Sequence, residues 1–211
     1  MFKDRIEAGD KLSDELVSFK DSKDTVVLGI TRGGVIVADR ISKRLNLTLD
    51  IIVVKKIGAP FNPELAIGAV GPGKSVYWEE RFLEELNIPG DYKKQMLAIK
   101  RREARKLEKY LLGKRKALPV KNKTVILVDD GVATGATVLG ALSYLRAQNA
   151  KEVILAAPVI AKDTYDKIVK YFDSIVAIYV PFELNAVGQF YQKFTQVENE
   201  EVKDIIRKTK L

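Results

Sequence analysis

The sequence predicts an α/β fold, in which helices cover both faces of a doubly wound, mostly parallel sheet. Short apolar runs typical of strands alternate with amphipathic helical patterns along most of the chain, which is the pattern of successive βαβ units. No internal repeat, low-complexity tract or flexible linker interrupts this alternation. Because 211 residues are enough for one substantial core, we predict a single domain over residues 1–211.

Strands and helices alternate from the first part of the chain. The run TVVLGI at 25–30 is typical of a strand buried on both faces, and the pattern at 35–45 is typical of the helix that follows it. A second strand is predicted at 49–57. Gly-Pro-Gly separates two further strand-like runs, at 64–70 and 74–78, and favours a pair of strands or a hairpin there.

A helical insertion is predicted over residues 79–116. In the second of its helices, apolar residues recur at helical spacing, so we expect one face of that helix to pack on the body of the protein. These residues are Tyr92, Met96, Ile99, Leu107 and Leu111.

The same insertion holds much of the net charge of +8. Eleven basic residues lie between Lys93 and Lys116, against only Glu103 and Glu108. We favour a solvated helix face over a nucleic-acid footprint for this stretch, and we therefore expect no nucleic-acid partner.

The alternation continues in the second half of the chain. The predicted elements are a strand at 124–128, a helix at 136–148, a strand at 152–160, a helix at 165–172 and a strand at 174–180. Residues 181–211 do not continue the pattern, and we predict that they form a cap. Its aromatic residues are suited either to stacking on a base or to a place in the core, and they are Phe182, Phe190, Tyr191 and Phe194.

The composition excludes several kinds of chemistry. The chain has no cysteine and no histidine, so disulfides, thiol nucleophiles, Cys/His zinc sites and histidine-based triads are absent. Any metal must bind to oxygen ligands, which favours magnesium. No apolar run approaches the ~20 residues of a membrane span, and the first residues, MFKDRIEAGD, lack the apolar core of a signal peptide. We expect a cytoplasmic protein with no membrane partner.

The stretch VILVDDGVATGATVLGAL at 125–142 is the most informative part of the sequence. Asp129 and Asp130 directly follow a buried strand, where two neighbouring negative charges repel each other and resist burial. We therefore expect a group outside the chain to offset this cost. Carboxylates accept hydrogen bonds, so a sugar diol or the water molecules of a magnesium ion are suitable partners.

A phosphate pocket is predicted directly after the two aspartates. Small residues leave the main-chain N–H groups accessible, threonine hydroxyls add donors, and a helix begins near Ala136 with its positive end at the same place. These small and hydroxyl residues are Gly131, Ala133, Thr134, Gly135, Ala136 and Thr137. The spacing matches neither a P-loop nor a GxGxxG dinucleotide motif, and together with the aspartates it indicates a phosphorylated sugar.

Two more strand ends hold candidate binding residues. Thr31-Arg32-Gly33-Gly34 follows the first strand, and an arginine beside exposed amides suits a second, multiply charged phosphate group. Without the arginine, this Gly-Gly pair would be interpreted as a tight turn. Lys55 and Lys56 lie at the end of the second strand, where a structural and a functional role are equally open.

These motifs resemble those of the type I phosphoribosyltransferases. VILVDDGVATGAT resembles their signature for phosphoribosyl diphosphate (PRPP), and Thr31-Arg32-Gly33-Gly34 resembles their pyrophosphate loop. The wider chain, with KKIGAPFNPELAIGAV and AVGQFYQKFTQV, is similar to a little-characterised branch called predicted phosphoribosyltransferases.

The resemblance implies a Rossmann-like core and Mg-dependent transfer of the 5-phosphoribosyl group of PRPP to a nitrogenous base or similar acceptor, with release of pyrophosphate. It assigns Asp129 and Asp130 to the ribose hydroxyls, directly or through magnesium-bound water, residues 133–137 to the 5′-phosphate, and Arg32 with its two glycines to the pyrophosphate. Asp129, Asp130 and Arg32 form the implied catalytic set. The full PRPP-binding set is Thr31, Arg32, Gly33, Gly34, Lys55, Lys56, Asp129, Asp130, Gly131, Val132, Ala133, Thr134, Gly135, Ala136 and Thr137.

The resemblance also places a mobile loop in residues 57–75 and a base-selecting hood in 181–211. Ala133 departs from the members that act on 6-oxopurines, which carry an aspartate at this position, so these acceptors become less favoured. Glu64 is a poor candidate for a general base, because it fits a surface position as well. The resemblance favours a homodimer. Two alternatives remain: a PRPP- or nucleotide-sensing regulator on the same fold, and an unrelated magnesium site built on the acidic pair.

Overall fold

Seven α-helices and eight strands lie within residues 1–209, which are the residues that the computed structural model describes. In chain order they are α1 (Arg5–Glu15), β1 (Thr25–Ile30), α2 (Gly33–Leu45), β2 (Thr48–Ile52), β3 (Lys55–Ala59), β4 (Asn62–Val70), β5 (Val76–Trp78), α3 (Glu80–Glu85), α4 (Gly90–Leu112), β6 (Thr124–Val128), α5 (Ala136–Ala147), β7 (Glu152–Val159), α6 (Lys162–Ile168), β8 (Ser174–Tyr179) and α7 (Asn199–Lys208).

Five parallel strands form the central sheet in the order β2-β1-β6-β7-β8. Every residue of β1 and β6 is buried, as continuous apolar runs in a sheet with two covered faces require. Leu12 of α1 and Ile41 of α2 pack on one face of the sheet, and Leu142 and Leu145 of α5 pack on the other. The prediction of a doubly wound α/β fold is therefore confirmed.

The strand order reverses between β1 and β6. From β1 the chain moves outward to β2, and it later returns to place β6 on the other side of β1. Gly29 of β1 is paired with Val128 of β6, so the carboxyl ends of these two strands lie side by side. A crevice at such a reversal is the usual binding place in open parallel sheets.

The prediction of one strand over 49–57 is wrong. The parallel strand ends at Ile52, and the chain enters a second, antiparallel sheet in which β3 pairs with β4 and β4 with β5. Val53 and Val54 at the junction are both buried, so the apolar pattern continues across the break and conceals it. The predicted pair at 64–70 and 74–78 is present as β4 and β5. Much of 57–75 is therefore strand, and its mobility stays a prediction.

The predicted helical insertion contains α3 and α4. Tyr92 and Met96 of α4 pack against the antiparallel sheet, whereas Leu107 and Leu111 pack in a cluster with Val202 and Ile206 of α7. The other side of α4, with most of its basic residues, is exposed. None of the described helices, the 23-residue α4 included, has the apolar length that crossing a membrane requires.

The start of the chain packs against the predicted cap and pairs with it through main-chain hydrogen bonds. Within 181–209 the chain is mostly irregular before α7, and the last two residues of the predicted segment lie outside the described residues. The Phe2 N–H donates to the Phe190 carbonyl at 2.7 Å, and the Gln192 N–H donates to the Phe2 carbonyl at 2.8 Å. The Phe2 ring lies against Tyr179 and Tyr191. We call residues 1–4 the N-terminal arm and residues 181–209 the hood.

We predict that Phe2→Ala lowers the free energy of unfolding by about 3 kcal/mol, because it removes a fully buried ring and leaves a cavity between the arm and the hood. Chemical denaturation measures this change. Ile6→Ala is the matched control, since the Ile6 side chain is 51% exposed, and we expect it to change stability by less than about 0.5 kcal/mol. Equal losses for the two variants would contradict the observed anchoring of the arm.

Candidate functional site

A cleft of about 940 Å³ opens over the carboxyl ends of β1 and β6. Its walls are formed by Arg5 at the start of α1, the turn after β1, the start of β3, α4, the loop after β6 and the hood. The predicted PRPP-binding residues that line it are Thr31, Arg32, Gly33, Lys55, Lys56, Asp129, Asp130, Gly131 and Thr137.

A second, smaller cavity of about 40 Å³ lies at the loop after β6 and shares lining residues with the cleft. The predicted residues that line only this smaller cavity are Val132, Ala133, Thr134 and Gly135. Gly34 and Ala136 belong to neither lining, because both pack inward at the starts of their helices. The structure therefore brings together thirteen of the fifteen predicted residues, and the other two support the turns.

The loop before α5 is built to expose its amides. Gly135 has φ of 79°, a left-handed conformation that glycine adopts without strain. On the outer side, the Val132 N–H donates to Val159 and the Thr164 hydroxyl donates to the Ala133 carbonyl. Within residues 1–209, the N–H groups of Ala133 to Gly135 have no protein acceptor. Together with the first amides of α5, they form an anion pocket.

The turn after β1 lies directly against the aspartates. A Cβ atom on Gly33 would overlap the Asp130 carboxylate, and one on Gly34 would come within 2.6 Å of the Val128 carbonyl. Helix α2 begins at Gly33, two residues before the predicted start, so both glycines form its first turn. The Thr31 hydroxyl oxygen is buried with no protein partner among the described residues, and the Thr31–Arg32 peptide bond is cis.

Several basic side chains line the cleft, one of them from this turn. Arg32, Lys55 and Lys56 line the cleft together with Lys106 of α4. Burial lowers the pKa of Lys55, and the nearby charges of Arg32 and Lys100 lower it further, although Glu103 acts in the opposite direction. Such mutual repulsion among cations is relieved by a polyanion. Both lysines lie in the cleft, and their functional role stays a prediction.

The two aspartates occupy different environments. Asp129 accepts a hydrogen bond from the Asp130 N–H at 2.9 Å. Burial, which is the larger cause, and the charge of Asp130 raise the pKa of Asp129 well above that of an ordinary aspartate. Asp130 faces Arg5, whose Nε donates to its Oδ2 at 2.7 Å. The Tyr191 hydroxyl donates to the Asp130 main-chain carbonyl at 2.6 Å.

Arg5 is a site residue that the sequence analysis missed. Its Nη1 donates to the Thr195 carbonyl at 2.9 Å, and its guanidinium lies 3.9 Å from the centre of the Phe194 ring. We expected a group outside the chain to offset the charge of the aspartates, and Arg5, a residue of the chain itself, offsets part of it. Nothing in the local sequence distinguishes Arg5 from the other basic residues.

The remaining candidates divide between the site and the surface. Phe194 lines the cleft, and the Tyr191 ring packs against the Phe194 ring. In contrast, Phe182 is 86% exposed and Phe190 packs beside Phe2. Glu64 is exposed on β4 and lines neither cavity. Its suggested role as a general base is not supported by this position.

The carboxylate oxygens of the aspartate pair suit a magnesium ion that binds together with a phosphate-bearing ligand. Within residues 1–209 there is no group of three or more acidic side chains that would hold a metal. Asp129 and Asp130 each have one carboxylate oxygen engaged, by a main-chain N–H and by Arg5 respectively. Magnesium commonly binds through one or two carboxylates and completes its shell with water and substrate phosphates. The two remaining carboxylate oxygens fit that arrangement.

Comparison with known protein families identifies the family to which the chain belongs. The family model for the phosphoribosyl transferase domain matches residues 3–189, a range that holds both loops and the aspartate pair. The chain belongs to the phosphoribosyl transferase family. The resemblance found in the sequence motifs is thereby confirmed.

Relatives of this phosphoribosyl transferase domain extend the comparison. Proteins from Mycobacterium tuberculosis strains CDC 1551 / Oshkosh and ATCC 25618 / H37Rv, each named only as a phosphoribosyl transferase, are 38% identical over 207 residues. The alignment covers 96% of this chain and 45% of each relative, so the chain spans less than half the length of these proteins.

Solved structures show the same fold. The crystal structure of the TT1426 protein from Thermus thermophilus is 36% identical, with a TM-score of 0.82, and the alignment covers 98% of this chain and 97% of that one. The structure of the AQ2163 protein from Aquifex aeolicus is 13% identical, with a TM-score of 0.52 over 88% of this chain and 80% of that one. This second likeness shows the fold alone.

We predict opposite stability effects for the two aspartates. Asp129→Asn keeps an acceptor for the Asp130 N–H and removes a charge that the site disfavours, so it raises the free energy of unfolding at about pH 7. Asp130→Asn leaves the buried Arg5 without its charged partner and costs about 3 kcal/mol. Denaturant unfolding of both variants beside the wild type measures the two effects.

The pH dependence gives a further check on Asp129. Its folded-state pKa is raised, so the wild type loses stability relative to Asp129→Asn as the pH increases from the unfolded value of about 3.9 through the raised value. Below about pH 4 the difference between the free energies of unfolding of the two proteins is constant. A stability difference that stays constant up to pH 7 would contradict the raised pKa.

Proposed function

We propose that this chain catalyses Mg-dependent transfer of the 5-phosphoribosyl group of PRPP to a nitrogenous base or similar acceptor, with release of pyrophosphate. The observation that carries this proposal is the contact between the turn after β1 and the loop after β6. It brings together Arg32 and Gly33, a pair of aspartates and a set of free amides in the cleft and the smaller cavity beside it. These are the groups that pyrophosphate, a sugar diol and a phosphate monoester each require.

Each part of PRPP has a matching set of residues. The amides of Ala133 to Gly135 and the start of α5 bind the 5′-phosphate in the smaller cavity. Asp129 and Asp130 accept hydrogen bonds from the ribose hydroxyls. Arg32, Gly33 and Lys55 bind the pyrophosphate on the positive side of the cleft.

The reaction breaks the bond between C1 of the ribose and a pyrophosphate oxygen, and forms a bond from C1 to the acceptor, which loses a proton. Negative charge grows on the departing pyrophosphate, and Arg32 and Lys55 are placed to stabilise it. Magnesium bound with PRPP would supply further positive charge to the same oxygens. Water must be kept from C1, and the 57–75 segment is the part we expect to close over it.

The acceptor is the least constrained part of the proposal. Ala133 provides no carboxylate near a base, which argues against 6-oxopurines. The aromatic face of Phe194 and the polar groups of α4 and the hood line the rest of the cleft. A cytoplasmic location and a homodimer remain predictions from the sequence.

The direct test combines a PRPP-binding titration with product detection. The protein is incubated with PRPP, magnesium and a panel of purines, pyrimidines and other nitrogenous acceptors, and phosphoribosylated products are sought by mass spectrometry. Binding with a product supports the transferase. Tight binding with no product from any acceptor favours the PRPP-sensing regulator. Absence of binding would refute the assignment of the whole site.

We predict that Asp129→Asn combined with Asp130→Asn abolishes binding of Mg-PRPP, because both acceptors for the ribose hydroxyls and for magnesium-bound water lose their charge. Isothermal titration calorimetry measures the affinity. Glu64→Gln is a matched control, since it removes one carboxylate on the exposed part of β4, and it should bind PRPP as the wild type does. Normal binding by the double variant would exclude the aspartate pair from the site.

The lowered pKa of Lys55 predicts a pH effect on pyrophosphate binding. Lys55 loses its proton at a lower pH than an ordinary lysine, so affinity for pyrophosphate falls as the pH rises through that value. Lys55→Arg keeps its charge and should lose less affinity between about pH 7 and about pH 10. Calorimetric titrations of both proteins with the same ligand cancel the ionisation of pyrophosphate. Identical pH profiles would contradict a role for Lys55.

A further inference from the structure

Asp130 is held by the hood and by α1 together. Tyr191 of the hood binds its main-chain carbonyl, and Arg5 of α1 binds its Oδ2. Among the described residues, no protein donor bonds the other oxygen, Oδ1. The Asp130 side chain is 16% exposed and lines the cleft, so this oxygen is the one left for a ligand.

Arg5 itself is fixed on three sides. Its Nε is on Asp130, its Nη1 is on the Thr195 carbonyl, and the flat face of its guanidinium lies on the Phe194 ring. The Arg5 side chain is 10% exposed. A guanidinium held in one plane fixes the direction of its hydrogen bonds more firmly than a flexible ammonium does. The carboxylate that it binds is therefore fixed as well.

The position of Arg5 also depends on the N-terminal arm. The arm pairs with the hood through Phe2, and α1 begins directly after it, with Asp4 accepting hydrogen bonds from the N–H groups of Ile6 and Glu7. Arg5 is the first residue of that helix. The arm, the cap of α1 and the hood thus converge on one side chain.

We propose that Arg5 is a positioning residue for the sugar. It holds Asp130 by Oδ2, so that Oδ1 is presented to a ribose hydroxyl or to a water molecule on magnesium. This inference rests on the proposed PRPP-binding function and adds to it a residue from a different part of the chain. Phe194 and Thr195 keep Arg5 in place, and through them the hood determines how Asp130 is aimed.

The opposite role has a distinct consequence. If Arg5 were a counter-ion that must leave Asp130 before a ligand binds, its removal would free the carboxylate and tighten PRPP binding. As a positioning residue, its removal loosens the carboxylate and weakens binding. The sign of the change in affinity therefore separates the two roles.

The test measures the affinity of four proteins for Mg-PRPP and, separately, for pyrophosphate without magnesium. They are the wild type, Arg5→Met, Arg5→Lys and, as the matched control, Arg44→Gln. Arg44 also joins α1 to a neighbouring helix, through Asp10 and Asp14, but it does not line the cleft. We expect Arg5→Met to weaken Mg-PRPP binding about 10- to 100-fold, the usual effect of losing a group that orients a ligand-binding side chain.

Two readouts separate positioning from folding. Pyrophosphate has no hydroxyl for the Asp130 carboxylate to accept from, although Gly33 lies against that carboxylate. Its affinity should therefore fall much less than that of Mg-PRPP in every Arg5 variant. Arg5→Lys keeps the charge but not the planar geometry and should restore only part of the PRPP affinity. The control variant should bind both ligands as the wild type does.

The double variant Arg5→Met with Asp130→Asn completes a mutant cycle. It removes both charges, so its stability should recover relative to Asp130→Asn alone, while its PRPP affinity should equal that of Asp130→Asn. This protein also serves if Arg5→Met alone does not fold. Independent, additive losses of affinity would overturn the proposal.

The outcomes distinguish this inference from the proposed function. Absence of Mg-PRPP binding by the wild type would refute the proposed function and this inference with it. Binding by the wild type that is unchanged or tighter in Arg5→Met would refute the positioning role alone. Equal losses for PRPP and pyrophosphate would also refute it, because they would indicate a general disturbance of the cleft.

Discussion

The parallel pairing of β1 with β6 is the constraint on which the site depends. Because the two strands end side by side, the turn after one must pass the loop after the other at close range. Gly33 and Gly34 are the consequence, since a side chain at either position would collide with Asp130 or with the end of β6. The free amides of the loop after β6, the aspartates and Arg32 are near one another because the sheet brings their strands together, and the helices on both faces keep that sheet fixed.

The cleft contains both cations and a pair of carboxylates, and the proposed phosphorylated sugar would satisfy both. Arg32, Lys55 and Lys56 face the cleft, and the pKa of Lys55 is lowered by burial and by its cationic neighbours. In the same cleft, the pKa of Asp129 is raised by burial and by Asp130, and Lys56 acts in the opposite direction. A ligand with phosphates on one part and hydroxyls on another relieves both strains. A simple acidic-pair magnesium site explains only the second, so the combination favours the phosphorylated sugar.

The sequence predicted those parts of the fold and site whose residues are neighbours in the chain. The strands at 25–30 and 124–128 and the loops that follow them are continuous patterns, and each loop holds its own chemistry. The break at Val53 and Val54 was missed because an apolar run gives no sign of a change from one sheet to another when both sides are buried. Arg5 was missed because it meets Asp130 across 125 residues, and no local pattern records such a contact.

The contact between Arg5 and Asp130 changes how the hood is understood. A segment that only covers the cleft would contribute surface to the acceptor, and its position would not affect the sugar. Here the arm and the hood are paired through Phe2, the hood binds Arg5 through Thr195 and Phe194, and Arg5 binds Asp130. Moving the hood away would therefore remove the Thr195 and Phe194 contacts that hold Arg5 in place on Asp130. The hood and the Asp130 carboxylate are thus connected through Arg5. Under the proposed function, the surface offered to the acceptor and the carboxylate offered to the ribose depend on the same contacts.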